Sequence, residues 1–255
     1  MIDAKLMSWW GGDKEVASAA WCSTVDDPLK IEARTDEDVK RVINQLISDN
    51  HNTPKEAVWL KFWISCPIFC ERQLDKYRMT LQLQDIEITY LKGDFGRDNI
   101  SQNEYSGRYK TLINEFIEMP DDVAEIWGMA NEGSAQAVID IKKIWHDEMT
   151  RVYDLYQSWL RMVWNAHKEY GMVNNAQYKR FREFVRGMIP TAYFTNFQWI
   201  MNMNAFEHIM NERMSEYSGK PQVETQIVAR MMYEELKRYE VCPNMLKEME
   251  IRNHW

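Results

Sequence analysis

The chain has little of what marks several common protein classes. Its four cysteines, Cys22, Cys66, Cys70 and Cys242, have no zinc spacing, because Cys66 and Cys70 are separated by three residues with no histidine or second pair near them. His146, Asp147 and Glu148 lack the HExxH pattern. The expectation is reduced, mostly buried thiols and no metal. Positive charge is short as well. With 31 Lys and Arg against 39 Asp and Glu, the net charge of -8 and the absence of a basic stripe exclude a protein that coats a nucleic-acid polymer. An anionic ligand has to be held by local arginines. No apolar run reaches membrane-spanning length, and Met1 to Trp10 has no basic stretch followed by an apolar one. These absences predict a cytoplasmic protein with no membrane partner. Repeats, low-complexity stretches and linkers are also missing, so the 255 residues read as a single domain over 1–255.

What is present is a soluble composition, 45% hydrophobic and 27% charged, with 11 tryptophans and 17 methionines available for broad apolar contacts. From Glu56 to Cys70 aromatic and β-branched residues partly alternate, which predicts a half-buried strand that ends or bulges at Pro67. A helix opens at Ile68 and runs to Lys76, with Gln73 and Lys76 on one face. Between Ala135 and Tyr170 apolar residues recur at spacings of three and four, among them Val138, Ile141, Trp145, Met149, Val152, Tyr156 and Trp159. That spacing predicts one long amphipathic helix stopped by Gly171. Further helices are expected over Tyr178 to Met188, Phe197 to Met214 and Val223 to Tyr239. The second half is thus read as mostly helical after a strand-containing first half, an α+β chain with a mixed or antiparallel sheet and long helices.

The densest chemistry lies in Ser101-Gln102-Asn103-Glu104-Tyr105-Ser106-Gly107-Arg108-Tyr109. Gly107 lets backbone N–H groups approach an oxyanion closely, and Arg108 is able to clamp a phosphate with two parallel hydrogen bonds. By contrast Asp121 and Asp122, following Pro120, read as a helix-capping and dipole device rather than as a metal pair.

This string resembles the signature of the flavin-dependent thymidylate synthases, in which an Arg-His-Arg triplet runs into Ser-x-Asn-Glu-x-Ser-Gly-Arg-Tyr. The resemblance extends over roughly residues 19–239. His51-Asn52-Thr53-Pro54-Lys55-Glu56 is similar to the family's His-Glu-Thr-Pro-Phe-Glu element, Arg186-Gly187-Met188-Ile189-Pro190 to its Arg-x-x-Leu-Pro, and Pro221-Gln222-Val223-Glu224 to its Ala-Gln-x-Glu. The resemblance implies a thymidylate synthase-like fold and a homotetramer whose sites form between subunits. It implies a pyrimidine deoxynucleotide monophosphate held by Gln73, Lys76, Glu104, Ser106, Gly107, Arg108, Arg186 and Arg213, with Arg213 as the catalytic residue. It also implies FAD held by His51, Thr53, Lys76, Tyr77, Arg78, Asn103, Glu104, Asn202, Asn204 and His208. Methylenetetrahydrofolate is then the carbon donor, reduced FAD the hydride donor, and NADPH the reductant.

The departures fall on the flavin side. Lys76-Tyr77-Arg78 replaces the triplet, keeping its terminal positive charges but losing the imidazole and one planar fork. Asn204 and His208 replace the usual arginine and asparagine. An extra segment follows at about 81–100, where partial alternation from Leu81 to Tyr90 and turn chemistry at Lys92-Gly93-Asp94-Phe95-Gly96 predict an inserted β-hairpin. Methylating C5 of uracil needs negative charge stabilised at N3 and O2, which an arginine facing that edge provides in a water-poor pocket. No cysteine nucleophile is required. The first expectation is therefore conversion of dUMP to dTMP. The alternatives are C5 hydroxymethylation of dUMP or dCMP for modified-base DNA, which would place the protein in a phage-infected host's cytoplasm, and a non-catalytic nucleotide- or flavin-binding relative.

Overall fold

The computed structural model describes residues 1–75, 114–215 and 222–255, together with the backbone of 100–104. In chain order these form strand β1 (Asp3–Trp10), helices α1 (Asp13–Trp21), α2 (Pro28–Glu32) and α3 (Asp36–Ser48), a 3-10 turn (Thr53–Ala57), strand β2 (Trp59–Pro67), helix α4 (Ile68–Asp75) and strand β3 (Ile100–Glu104). Helices α5 (Asp121–Ala130), α6 (Ala135–Lys168) and α7 (Asn175–Val185) follow, then a short 3-10 turn (Arg186–Met188), strand β4 (Phe194–Asn202), and helices α8 (Met203–Arg213), α9 (Val223–Arg238) and α10 (Pro243–Asn253). The α+β class expected from the sequence is the class found. The chain divides into two compact units, one made of 1–66, 70–104 and 196–255, the other of 67–69 and 105–195.

The first unit is built on a four-stranded sheet in the order β1-β2-β4-β3. β1 runs antiparallel to β2, from Asp3 opposite Ser65 to Trp10 opposite Trp59, with the register shifting between Leu6 and Ser8. β3 runs antiparallel to β4, Ile100 opposite Met201 and Glu104 opposite Phe197. Alternation sorts the side chains by face. Ala4 and Leu6 of β1, Leu60, Phe62 and Ile64 of β2, and Phe197, Trp199 and Met201 of β4 are buried, whereas Met7, Trp10, Trp59 and Trp63 remain exposed. α9 packs on β1 and on α8, α10 packs on α3, and Phe62 stacks on Phe206 of α8. β1 is an edge strand, and its Leu6 N–H is satisfied by the Glu235 carboxylate of α9 at 2.9 Å. A second remote contact secures the C-terminal helix. The Asp13 carboxylate accepts from the backbone N–H groups of Asn244 and Met245, capping an α10 whose own N-cap residue, Cys242, contributes no side-chain bond.

In the second unit α6 packs on α5 and on α7. Gly128 of α5 permits the first contact, since a Cβ there would lie 2.5 Å from Val138 Cγ2. Tyr156, Leu160, Val185, Ile189 and Tyr193 form the core, with Phe116, Met149 and Tyr153 against it. Two polar groups at this core are answered by backbone carbonyls: Tyr193 donates to that of Met149 at 2.5 Å, and Trp145 Nε1 to that of Ile117 at 2.8 Å.

The helices expected over Ile68 to Lys76, Ala135 to Tyr170 and Val223 to Tyr239 are found within two residues, whereas that expected over Tyr178 to Met188 runs from Asn175 to Val185 and the strand expected over Glu56 to Cys70 runs from Trp59 to Pro67. β2 ends at Pro67, α6 stops before Gly171, which has a φ of +63°, and Asp121 and Asp122 open α5. One expectation is corrected. The helix placed over Phe197 to Met214 is two elements: residues up to Asn202 belong to β4, and the helix begins at Met203. The buried side chains Phe197, Trp199 and Met201 recur with period two, which is strand geometry, and the sheet position between β2 and β3 fixes it. The second half therefore carries a strand of the sheet. The hairpin expected at 81–100 lies outside the described residues apart from Ile100, the first residue of β3.

Candidate functional site

Two predicted flavin-side segments meet in the first unit. His51 follows α3 and is exposed, its backbone N–H bonded to the Leu46 carbonyl, and Thr53, also exposed, opens the 3-10 turn with Pro54 behind it. α8 starts immediately beside this turn, because Met203 N–H donates to the Val58 carbonyl at 2.9 Å. Asn202 is the N-cap: its backbone is extended and its Oδ1 accepts from Ala205 N–H at 2.9 Å. Asn204 and His208, one turn apart, share the half-buried face of α8. Arg213 ends the same helix, and at 100° per residue it projects about 180° away from Asn204. The helix thus meets the turn bearing His51 and Thr53 through Met203 and Glu207, carries Asn202, Asn204 and His208 in the same two turns, and directs Arg213 away from Asn204.

Beneath this surface lies a buried ion pair. Lys55 of the 3-10 turn is fully buried; its Nζ donates to Glu207 Oε2 and to Asn52 Oδ1, the latter at 2.9 Å. Glu207, on α8 and 5% exposed, accepts on its other oxygen from Asn253 Nδ2 of α10 at 3.3 Å. Burial pulls the Lys55 ammonium below its ordinary value, and the Glu207 charge opposes that shift. Polar burial recurs at Asn202, which is fully buried and whose Nδ2 finds no partner among the described residues. A buried amide donor without an acceptor is costly unless a ligand supplies one.

Comparison with known proteins gives the family. The family model described as thymidylate synthase complementing protein matches residues 5–244. The chain belongs to that family. Flavin-dependent thymidylate synthases from Rickettsia conorii and Wolbachia pipientis are each 25% identical to it, over 92% of this chain and 71% and 69% of their own lengths. That from Pseudothermotoga lettingae is 25% identical over 84% of this chain and 76% of its own. Among solved structures, the UMP/dUMP methylase PolB from Streptomyces cacaoi bound with 5-Br dUMP superposes with a TM-score of 0.69, at 20% identity, over 98% of this chain and 95% of that one. It shares the fold.

Within the thymidylate synthase complementing frame, the remaining predicted positions are spread over both units. Gln73 sits half-buried in the last turn of α4, and Asn103 and Glu104 occupy β3, their backbones opposite Gln198 and Phe197. Arg186 belongs to the second unit, where it caps α7, is half-buried, and gives its carbonyl to Ile189 N–H. Lys76, Tyr77, Arg78, Ser106, Gly107 and Arg108 lie outside the described residues. Of the four thiols, Cys66, Cys70 and Cys242 are buried and only Cys22 is exposed, as expected. Burial pushes the Cys242 thiol up, the opposite of what a nucleophile requires. Among the described residues no His, Cys, Asp and Glu group has the arrangement to hold a metal, and no helix is long and apolar enough to cross a membrane. His146 meets Glu118 at 2.8 Å instead.

Sequence reasoning missed Lys55 and Glu207. A signal was there. Lys55 stands where the resembling His-Glu-Thr-Pro-Phe-Glu element has phenylalanine, and a charge at an apolar position calls for a buried partner.

Proposed function

We propose that the chain is a flavin-dependent enzyme that methylates C5 of dUMP to give dTMP, with methylenetetrahydrofolate as carbon donor and NADPH as reductant. The observation that carries this reading is Asn202: a fully buried amide donor with no partner among the described residues, at a predicted flavin position, in a chain whose family match spans 5–244. The residues present fit a flavin. Asn202 Nδ2 offers a hydrogen bond to an acceptor on the isoalloxazine or its ribityl chain, and Asn204, His208, His51 and Thr53 supply polar groups around it. When bound, the flavin supplies the reducing equivalents that turn the transferred one-carbon unit into a methyl group.

The protein's own residues do the rest. Arg213 places a permanent positive charge toward N3 and O2 of the pyrimidine, so that C5 becomes nucleophilic without a cysteine adduct. Gln73 and Arg186 hold the nucleotide, Arg186 as a planar fork suited to phosphate. Ser106, Gly107 and Arg108 complete the phosphate grip in this reading, and Lys76 and Arg78 meet the flavin. The exposed tryptophans on the outer face of β1 and β2 support burial between chains, and the reading includes a homotetramer in which subunits share sites. Tritium release from C5 of labelled dUMP tests it. Release that requires FAD, NADPH and methylenetetrahydrofolate together supports the reading; absence of release with all three present overturns it.

A further inference from the structure

A buried lysine and a buried glutamate are an expensive way to join a turn to a helix. Stability alone is served as well, and often better, by a well-packed apolar pair of similar volume. What an apolar pair lacks is direction, since burial of hydrocarbon is indifferent to register whereas a charged hydrogen bond is not. Here the directional bonds join three elements. Lys55 Nζ reaches Asn52 at the start of the 3-10 turn and Glu207 on α8, and the second oxygen of Glu207 receives Asn253 of α10. Asn52 lies between His51 and Thr53, and Glu207 lies next to His208. The ion pair thus spans the seam between the two segments that present the flavin-side groups.

We propose that Lys55 and Glu207 are a positioning pair that fixes the turn carrying His51 and Thr53 against α8, and so sets the register of that turn relative to the helix that carries Asn204 and His208 on the flavin-side wall. The proposal rests on the flavin reading above. Neither residue touches the ligand in this account; each acts through its neighbour. The element that the chain resembles has phenylalanine where Lys55 stands, so the polar link belongs with the other changes on this wall, at Asn204 and His208.

The test compares wild type, Lys55→Met/Glu207→Met and Glu207→Gln by thermal melting, FAD affinity from fluorescence quenching, and the flavin absorption envelope. The double apolar variant is expected to melt within a few degrees of wild type yet bind FAD about tenfold more weakly, with a shifted flavin envelope, as loss of a hydrogen bond behind a ligating group does elsewhere. Glu207→Gln keeps an acceptor for Lys55 and is expected to stay within about threefold of wild type. A double variant that folds and binds FAD like wild type overturns the proposal. Should that variant fail to fold, Asn52→Ala, which removes one directional bond of Lys55, decides: a folded protein with FAD affinity lowered about threefold or more supports the proposal, and unchanged affinity overturns it. A wild-type protein that takes up no FAD overturns the flavin reading and this proposal with it, whereas FAD uptake by wild type with indifferent variants overturns the positioning role alone.

Discussion

Asn202 accepts from Ala205 N–H on its side-chain oxygen, 2.9 Å away, and keeps its side-chain nitrogen buried with no partner among the described residues. One half of the amide caps α8, and in the proposed reading the other half serves a ligand. Asn202→Asp separates the two functions, because a carboxylate still caps the helix but has no N–H to donate. The variant is expected to fold normally by circular dichroism and to bind FAD roughly tenfold more weakly, the worth of one buried hydrogen bond. Unchanged FAD affinity would mean that the amide nitrogen serves no ligand.

Arg213 closes α8 on the side away from Asn204 and His208, which suits a residue addressing the nucleotide rather than the flavin. Arg213→Ala is expected to lower kcat by about 10² to 10³, the effect of removing one preorganised charge from a developing anion. Far-UV circular dichroism should be unaltered. Steady-state kinetics on folded protein check it, and full activity would remove Arg213 from catalysis.

The contact of α5 with α6 depends on Gly128. Adding a methyl group brings it to 2.5 Å from Val138 Cγ2, a distance that forces one helix to shift. Gly128→Ala is expected to destabilise the second unit by about 1–3 kcal/mol, the usual cost of overpacking, despite the better helix propensity of alanine. Urea denaturation measures it.

Tyr193 gives a pH dependence of known sign. Burial, with Tyr153 and Asp154 nearby, pushes its phenol up to about 12 from the ordinary 10.0. The folded protein therefore holds a proton that the unfolded chain releases near pH 10, so this contribution to stability is complete below pH 10 and is lost as pH rises from 10 to about 12. In that window wild type should lose stability more steeply than Tyr193→Phe. Thermal melts at successive pH values check it, and parallel curves for the two proteins would contradict it.

Much of this architecture is legible in the sequence, and the exceptions have physical causes. The 3.6-residue periodicity of α6 extends over many turns and is hard to misread, and Pro67 and Gly171 mark ends that the backbone obeys. β4 is different. Phe197, Gln198, Trp199, Ile200 and Met201 are too few and too uniformly apolar for period two to stand out from helix, and the neighbouring strands decide the matter. The resemblance implies flavin-side roles for His51, Thr53, Asn202, Asn204 and His208, and the structure places them on the 3-10 turn and its lead-in and on α8 with its N-cap. Lys55 is legible only in part: a lysine at an apolar motif position calls for a buried partner, but 152 residues separate it from Glu207 and no local pattern names that partner.

The most direct measurement is the mass of the nucleotide formed when purified protein is incubated with FAD, NADPH, methylenetetrahydrofolate and either dUMP or dCMP. The account predicts dTMP from dUMP, heavier than the substrate by one CH2 group. A hydroxymethylated nucleotide, turnover of dCMP alone, or no product from a flavin-loaded protein would contradict it.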